Sequence, residues 1–309
     1  MHPSFRILGV AMAARVIDGK EVAREIRAEI KARVEALAAR RAVPGLAVLL
    51  VGEDPASVSY VTGKEKASAE LGIASLGRRL PASTSEEELL ALVMSYNANP
   101  AVHGILVQLP LPRHIDERRI ISAISPEKDV DGLTTLNVGR MILEEPCFLP
   151  CTPAGVIELI LRSGVETKGA RAVVVGRSNL VGRPLLNLFT RKSINSTVTA
   201  CHTGTRDLAA ACREADILVA CTGKPGLVRG EWIKPGACVI DVGVTRVEDP
   251  TAKAGFRLKG DVEYEAAAQR AGWITPVPGG VGPMTITMLL ANVTLAAERA
   301  AGAAAGTRA

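Results

Sequence analysis

The stretch "RAVVVGRSNLVGRP", residues 171–184, has the order of a strand, a glycine-containing turn and the start of a helix. Its apolar strand is followed by Gly176, Ser178 and Gly182. In this context the backbone amides and the helix N-terminus can receive a pyrophosphate. A standard GxGxxG loop has glycine where Ser178 stands. The stretch is therefore either a phosphate-binding loop or a structural strand-to-helix turn.

Three more strand-like runs follow this stretch. They are "STVTACHTGT" (196–205), "ADILVACTGKPG" (215–226) and "ACVIDVGV" (237–244). Each run contains β-branched or aliphatic residues and has a glycine at or near its end. Repeated strands that end in glycine-containing turns are typical of a dinucleotide-binding sheet. The second half of the chain therefore predicts a Rossmann-like domain.

The end of the strand after the glycine loop indicates which dinucleotide is bound. Enzymes that use NAD usually have Asp or Glu there for the ribose 2′-hydroxyl, whereas this chain has Cys201, His202 and Thr203. Because no acid repels a 2′-phosphate, and because Arg177 and Arg206 are near, NADP fits better than NAD. Either arginine can alternatively be a solvated residue of a turn.

The first half of the chain alternates helical and strand patterns. Apolar residues at every third or fourth position after Asp18 predict an amphipathic helix, and Ser85 with Glu88 has the pattern of a capping box. The strand-like runs are "GLAVLLVG" (45–52), "IASLGRRL" (73–80) and "HGILVQLPLP" (103–112). This alternation predicts a parallel α/β sheet that is covered on both faces.

Three further segments have clear local patterns. "SPEKDVDGLTTLN" (125–137) is rich in turn formers and predicts a loop. "PCTPAGVIELILRSG" (150–164) predicts a helix with Thr152 as its cap and Pro153 at the first helical position. The run "MTITMLLANVTLAA" (284–297) predicts an apolar helix.

Composition excludes several classes of protein. The chain has 309 residues, 48% of them hydrophobic, which suits two ordinary domains. The net charge of +5 comes from bases interleaved with acids, and aromatics are only 3%, so we expect anionic small molecules and no nucleic acid as partners. The apolar runs have the length of strands, and we expect no membrane span.

The cysteines and histidines indicate the compartment and the metal content. The six cysteines include no CxxC pair, and the four histidines have no metal-ligand spacing. We therefore expect reduced thiols, a cytoplasmic location and no metal site. Residues 1–11 are interpreted as a loose N-terminal extension, and Met12 is an alternative start.

Tyr60 and Lys64 lie four residues apart in a helical stretch, "VSYVTGKEKA" (58–67), so they project from one face. They are either a proton-transfer pair or a surface lysine beside a half-buried tyrosine. In short-chain dehydrogenases the YxxxK motif follows an N-terminal glycine-rich loop, whereas here it precedes the loop. The pair is therefore expected in a different domain from the cofactor, across a cleft from it.

Eight motifs together resemble the bifunctional methylenetetrahydrofolate dehydrogenase/cyclohydrolase family. They are "VGEDPASVSYVTGKEKA", "GILVQLPLP", "PEKDVDG", "NVGR", "PCTPAGV", "VVVGRSNLVGRP", "DVGV" and "PVPGGVGPMT", in the family's order between about Val16 and Ala297. The resemblance implies two α/β domains flanking a cleft, a homodimer and two consecutive reactions. NADP oxidises 5,10-methylenetetrahydrofolate to the methenyl compound, which is then hydrolysed to 10-formyltetrahydrofolate.

The resemblance also implies domain boundaries. A discontinuous folate-binding catalytic domain is expected at 12–149 plus 284–309, where the apolar helix returns to the first domain. A Rossmann-like NADP-binding domain is expected at 150–283.

The family's substrate and catalytic residues match positions of this chain. By this resemblance Tyr60 stacks on the pteridine, Lys64 is catalytic, Gln108 hydrogen-bonds the lysine, and Asp131 binds the amino-pyrimidine edge. The loop that contains Gly282 and Pro283 is similar to the segment that closes around folate and nicotinamide. The expected cofactor contacts are Gly176, Arg177, Ser178, Gly182, Thr203 and Val244.

Two residues of these motifs also have purely structural interpretations, and the chain differs from the family at two places. Gln108 can simply satisfy backbone groups at a strand end, and Asp129 reads as a turn former rather than a ligand. Many relatives have His-Pro where this chain has Thr134 and Thr135, which can alter the loop beside Asp131. Thr203 stands where the family often has Ser, but it keeps the hydroxyl for a 2′-phosphate.

Two other functions compete with the bifunctional enzyme. One is a single-activity NADP-dependent dehydrogenase of the same architecture, such as a shikimate or amino-acid dehydrogenase. The other is a non-catalytic folate- or nucleotide-binding protein. The first is disfavoured because such dehydrogenases need an acid or base for a hydroxyl or amine, whereas Gln108 and Asp131 together fit a pterin better. The second is disfavoured by Lys64 with its neutral partner, because binding alone needs no amine of adjusted basicity.

Overall fold

The computed structural model describes residues 14–252 and 255–306, with side chains described as far as residue 302. Residues 1–11, interpreted above as a loose extension, lie outside the described residues, so that interpretation stays a prediction.

Helices and strands alternate along the described chain. The strands are β1 (Arg15–Val16), β2 (Gly45–Val51), β3 (Ala74–Ser75), β4 (Arg78–Leu80), β5 (Gly104–Val107), β6 (Arg171–Val175), β7 (Thr197–Cys201), β8 (Ile217–Ala220), β9 (Cys238–Asp241), β10 (Thr245–Glu248), β11 (Phe256–Lys259) and β12 (Trp273–Ile274). The helices are α1 (Gly19–Ala39), α2 (Pro55–Glu70), α3 (Glu86–Ala98), α4 (Glu117–Ser122), α5 (Thr135–Ile142), α6 (Cys151–Arg162), α7 (Gly182–Thr190), α8 (Leu208–Arg213), α9 (Tyr264–Ala268) and α10 (Val281–Gly306).

The described residues divide into two compact units. The six-stranded unit contains residues 14–18, 159–178, 189–252 and 255–281, and the four-stranded unit contains 19–158, 179–188 and 282–306. These ranges differ from the sequence-based domain boundaries mainly at 14–18, 150–158 and 179–188. The sequence-based boundaries stay a prediction.

The six-stranded unit is built on a parallel sheet with the order β1-β12-β9-β8-β6-β7. The four strand-like runs of the sequence, 171–175 among them, form β6 to β9. Aliphatic side chains of these strands and of α8 and α9 pack into one buried core. Because parallel strands point the same way, the loops that follow β6, β7 and β8 lie at one edge of the sheet, where dinucleotides bind.

The four-stranded unit is built on β2, which is fully buried and pairs in parallel with β3, β4 and β5. The run 73–80 forms two short strands rather than one. A side chain at Gly77 would lie 2.1 Å from the carbonyl oxygen of Val48, so the backbone approaches β2 closely at this point. The predicted parallel α/β arrangement is confirmed.

Helix α1 is amphipathic and lies beside the apolar helix α10 in this unit. The buried face of α1 includes Ile26, Ile30 and Val34, as its periodicity predicts. Arg33 on α1 forms a bidentate ion pair with Glu298 on α10, at 2.7 and 2.8 Å. Within the described part of the chain, α10 is the one helix long and apolar enough to span a membrane, but 56% of that window is buried in the protein, as in a core helix.

Candidate active site

A buried lysine and a neutral amide form the centre of the candidate site in the four-stranded unit. Lys64 on α2 exposes 8% of its surface, and its Nζ donates a hydrogen bond to Oε1 of Gln108 at 2.9 Å. Gln108 follows β5 directly, and its Nε2 donates to the carbonyl oxygen of Leu109 at 2.7 Å. This second bond orients the amide so that its oxygen faces the lysine.

The surroundings of Lys64 make its amine less basic. Burial lowers the pKa of Lys64 from its ordinary value of 10.5, because the charged form loses hydration. The charge of Asp131 opposes this shift but does not reverse it. Gln108 stabilises the ammonium form with one neutral hydrogen bond, which holds the proton less strongly than a carboxylate would.

A cavity of about 120 Å³ opens beside the lysine. Its polar lining is Lys64, Asp131, Cys151, Thr152 and Thr285, and leucine and proline side chains complete the wall. Burial raises the pKa of the Asp131 carboxyl, while Lys64 and a hydrogen bond from Cys151 oppose the rise. The site therefore contains two neighbouring groups that can bind a proton, an amine and a carboxyl group. Burial shifts their pKa values toward each other.

Asp129 builds the loop that carries Asp131. Its side chain is buried and accepts hydrogen bonds from the backbone of Leu133 and Thr134, at 3.1 and 2.8 Å, and from Nδ2 of Asn137 at 2.9 Å. The interpretation of Asp129 as a turn former therefore agrees with its contacts. Asp131 is left with its carboxylate on the cavity wall.

Thr134 and Thr135 shorten the predicted loop. Thr134 is the N-cap of α5, and its hydroxyl accepts from the backbone of Asn137 at 3.4 Å. Thr135 to Asn137 are therefore helical, and the prediction of a loop for 125–137 is wrong for these last residues. The two threonines that depart from the family's His-Pro begin helix α5, which follows Asp131 in the chain.

Thr152 has a different role from the predicted one. Helix α6 begins at Cys151, so Thr152 lies inside the helix and is not its cap. The prediction of a Thr152 cap is wrong. Its hydroxyl oxygen instead lies 2.8 Å from that of Thr285 on α10, and both line the cavity. Sequence patterns gave no signal for this pair, since the two residues are far apart in the chain.

The remaining substrate candidates lie outside the lining of this cavity. Tyr60 is one helical turn before Lys64 on α2 and is 54% exposed, so its ring is available to a ligand. Gly282 and Pro283 are in the first turn of α10, where the carbonyl oxygen of Pro283 accepts from the Thr287 hydroxyl at 3.0 Å. Their predicted contacts with substrate stay predictions.

A second cavity, of about 570 Å³, lies at the predicted cofactor edge of the six-stranded unit. Gly176, Arg177, Ser178, His202 and Thr203 are among its lining residues, so the structure brings the glycine loop and the end of β7 together. Gly176 has a φ of +134°, which favours glycine. Among the described residues the lining includes no carboxylate, which suits an anionic dinucleotide phosphate.

Some residues of this cavity were not predicted, and some predicted residues do not line it. Cys221, Thr222 and Lys224, from the loop after β8, also form the wall. Gly182 begins α7, and Val244 is 44% exposed; neither lines the cavity. The loop after β8 could have been proposed from its position after a parallel strand, but no residue in it has a distinctive motif.

Together these features define a class of protein. The six-stranded unit has the parallel sheet and glycine loop of an NAD(P)-binding domain, and the four-stranded unit contains a buried lysine of lowered pKa beside a carboxylate. Both features are expected in an enzyme that combines hydride transfer to a nicotinamide with acid–base catalysis.

Comparison with family sequence models then specifies the family. Residues 17–131 match the catalytic domain of tetrahydrofolate dehydrogenase/cyclohydrolase, and residues 150–301 match its NAD(P)-binding domain. This chain belongs to the tetrahydrofolate dehydrogenase/cyclohydrolase family.

Individual relatives agree with this assignment. The "Bifunctional protein FolD" of Moorella thermoacetica is 56% identical over 288 residues, covering 93% of this chain and 100% of that protein. The crystal structure of FolD from Campylobacter jejuni has a TM-score of 0.88 and 42% identity over 93% of this chain and 99% of its own. FolD from Trypanosoma brucei, complexed with NADP and an inhibitor, has a TM-score of 0.88 and 45% identity, covering 93% and 98%.

The comparisons confirm the resemblance that the motifs indicated. They also confirm the α/β fold with a Rossmann-like NADP-binding domain, and NADP as the cofactor. The roles of the individual site residues rest on the geometry described above.

Proposed function

We propose that this protein catalyses two consecutive reactions on tetrahydrofolate derivatives in one-carbon metabolism. It oxidises 5,10-methylenetetrahydrofolate to 5,10-methenyltetrahydrofolate with NADP, and it hydrolyses the product to 10-formyltetrahydrofolate. The observation that carries this assignment is the buried Lys64, held by the neutral amide of Gln108 beside the Asp131 carboxylate. Family membership and the bifunctional relatives support both activities.

The oxidation requires alignment more than acid–base chemistry. Hydride leaves a carbon that is bonded to two nitrogens, and their lone pairs stabilise the cation that remains. NADP supplies the hydride acceptor. Gly176, Arg177, Ser178 and Thr203, which line the larger cavity, would hold its phosphates, and Gly182 and Val244 remain candidates for further contacts. The absence of a carboxylate from the cavity lining and the positive φ of Gly176 fit this group.

The hydrolysis requires proton transfer. Water attacks the cationic carbon and must lose a proton, and one nitrogen must gain a proton before the carbon–nitrogen bond breaks. Neutral Lys64 can accept the first proton and return it to the nitrogen. As the carbon–nitrogen bond breaks, the remaining hydroxyl loses its proton and becomes the formyl carbonyl, so the net reaction adds water to the cation and releases one proton. The lowered pKa of Lys64 increases the neutral fraction that can act as the base.

The residues around Lys64 orient the substrate. Asp131 can accept paired hydrogen bonds from the N–H groups of the pterin, and the exposed ring of Tyr60 can stack on it. Gly282 and Pro283, at the start of α10, are proposed as further substrate contacts.

We also propose that the protein is a cytoplasmic homodimer. The resemblance to the family supports the dimer, and the six cysteines, which form no disulfide, support a reducing compartment. Light scattering of the purified protein would measure the oligomeric state, and a monomer at micromolar concentration would contradict the proposal.

One spectroscopic assay tests the enzymatic proposal. Methylenetetrahydrofolate is supplied with NADP or with NAD, and the appearance and decay of methenyltetrahydrofolate are followed by its absorbance. We expect formation to be faster with NADP and decay to continue after the cofactor is removed, because hydrolysis is not a redox step. Formation without enzyme-dependent decay would leave a single-activity dehydrogenase.

A further inference from the structure

The loop after β8 forms part of the cofactor cavity, although it lacks regular secondary structure. Thr222 and Lys224 line the cavity, and Gly223 lies between them. A loop of this kind needs an external support to present a fixed surface to a ligand. The support here is the carboxylate of one buried residue, Asp261.

Asp261 binds three donors of this loop through a single oxygen. Its Oδ2 accepts from the backbone N–H of Thr222, from the Thr222 hydroxyl at 3.0 Å and from the backbone N–H of Gly223 at 3.0 Å. The hydroxyl oxygen of Thr222 in turn accepts from the backbone N–H of Lys224 at 3.1 Å. The contacts therefore run from one carboxylate through Thr222 to the backbone of Lys224.

Asp261 is itself held in place by Asp241, the last residue of β9. Its backbone N–H donates to Oδ1 of Asp241 at 2.9 Å, and the backbone N–H of Val262 donates to Oδ2 of Asp241 at 2.9 Å. A Cβ at Gly243 would lie 2.2 Å from Oδ1 of Asp261, so glycine is required there. Asp261 has no exposed surface, and its position is fixed from several sides.

Burial of a carboxylate costs free energy, which hydrogen bonds to the carboxylate have to offset. Oδ1 of Asp261 is buried and has no hydrogen-bond partner among the described residues. Within the described part of the chain, the carboxylate of Asp261 bonds to Thr222 and Gly223, on or beside the cavity wall. An apolar residue would fill the space without leaving an unpaired oxygen, but it could not hold the loop.

We propose that Asp261 is a positioning residue for NADP binding. It acts through Thr222, holds the 222–224 segment in its cavity-lining conformation, and so places Lys224 where its charge can meet an anionic cofactor. This inference rests on the proposed use of the larger cavity for NADP.

The test compares Asp261→Asn with the unmodified protein in the two separate reactions. We expect the KM for NADP to rise by about 10- to 100-fold, because three hydrogen bonds to a charged acceptor are weakened. The dehydrogenase kcat should change less. Hydrolysis of methenyltetrahydrofolate, assayed without NADP, should keep its unmodified rate because Lys64 and Gln108 are untouched.

Two Thr222 variants and one control sharpen the test. Thr222→Val removes the hydroxyl and should also raise the KM for NADP, whereas Thr222→Ser keeps the hydroxyl and should restore it. Asp216→Asn removes a half-buried carboxylate of the same unit that accepts from the backbone N–H of Arg171 and from Nζ of Lys234, and it should leave the KM unchanged. If Asp261→Asn does not fold, the valine and serine variants decide the question.

Several outcomes would overturn the inference. An unmodified KM for NADP in folded Asp261→Asn, or equal KM values in the two Thr222 variants, would show that the loop needs no such support. Equal loss of hydrolysis in Asp261→Asn would show a general structural role. Failure of the unmodified protein to use NADP would instead contradict the proposed function.

Discussion

Replacement of Lys64 by methionine separates the two reactions most directly. Methionine has a similar length and fits a buried position, but it cannot carry a proton. Loss of a general base reduces a rate by about 10² to 10⁴, which corresponds to about 3 to 5 kcal/mol of barrier. We therefore expect hydrolysis of methenyltetrahydrofolate to fall by that factor, while the dehydrogenase reaction survives in part.

The structure indicates that the variant should remain folded. Lys64 is only 8% exposed, so its amine is poorly hydrated in the folded protein. The substitution removes this unfavourable burial of a charged group. It also leaves Oε1 of Gln108 without its 2.9 Å donor, at a cost of about 1 to 3 kcal/mol. These effects oppose each other, so thermal unfolding should change little compared with the loss of hydrolysis.

The assay follows methenyltetrahydrofolate by absorbance during turnover with NADP. In the unmodified protein the intermediate is consumed, whereas in Lys64→Met it should accumulate, since it forms faster than it decays. Lys64→Arg should behave in the same way, because a guanidinium keeps its proton at all working pH values and cannot act as a base. The pH dependence of hydrolysis should reflect the lowered pKa of Lys64 and disappear in both variants.

A matched control lies on the same helix. Lys66 is two residues further along α2 and is exposed, so Lys66→Met changes the same residue type without altering the cavity. It should preserve both reactions. A Lys64→Met protein that hydrolyses methenyltetrahydrofolate at the unmodified rate would refute the reasoning, since Lys64 would then be only a buried residue of α2.

Three further predictions concern the cofactor, the pH and the loop around Asp131. Arg177→Ala should raise the KM for NADP by about 10- to 100-fold and that for NAD much less, because one charge-assisted phosphate contact is lost; equal effects in steady-state kinetics would contradict it. Burial raises the pKa of Asp241 to about 6, so its contribution to stability is complete below about pH 4 and is lost as the pH rises through 6. The free energy of unfolding should decrease by about 3 kcal/mol over this range. Urea titrations should show this decrease in the unmodified protein and not in Asp241→Asn. Asn292→Ala leaves the carbonyl oxygens of Val130 and Leu149 without their donor at 2.8 and 3.0 Å, and thermal or urea unfolding should show a loss of about 2 to 3 kcal/mol.

The sequence predicted those parts of the site that follow from local patterns. The YxxxK spacing places Tyr60 and Lys64 on one helix, and both are on α2. The apolar run before Gln108 indicated a strand, and β5 ends immediately before it. Ser85 and Glu88 form the capping box that their spacing indicated. In each case the interacting groups are close in the chain, or the strand direction fixes where the next residue lies.

The parts that sequence could not predict depend on distant residues. Thr152 and Thr285 meet only because the starts of α6 and α10 lie together in the four-stranded unit. Similarly, Asp261 follows β11 and reaches Thr222 because its backbone bonds to Asp241 at the end of β9, and the sheet places β9 beside β8. No spacing rule relates these positions, since the order of strands in a parallel sheet differs from their order in the chain.

The errors at Thr152 and at the end of the 125–137 segment have a common cause. A threonine before an apolar helix can cap it, lie within its first turn, or bond to another element, and local sequence does not decide between these. Thr134 is used as a cap, while Thr152 bonds to Thr285. The same residue type thus has two different roles, which tertiary contacts determine.

The charges around Lys64 explain why a neutral partner suits a site with two reactions. Asp131 lies close enough to oppose the lowering of the pKa of Lys64, and Lys64 opposes the raising of the pKa of Asp131. A second carboxylate at position 108 would favour the ammonium form and remove the base that we propose for the hydrolysis. With Gln108 the lysine is oriented by a 2.9 Å hydrogen bond, yet its proton remains transferable. In the proposed mechanism the oxidation makes no demand on that proton, so the requirement on the basicity of Lys64 comes from the hydrolysis alone.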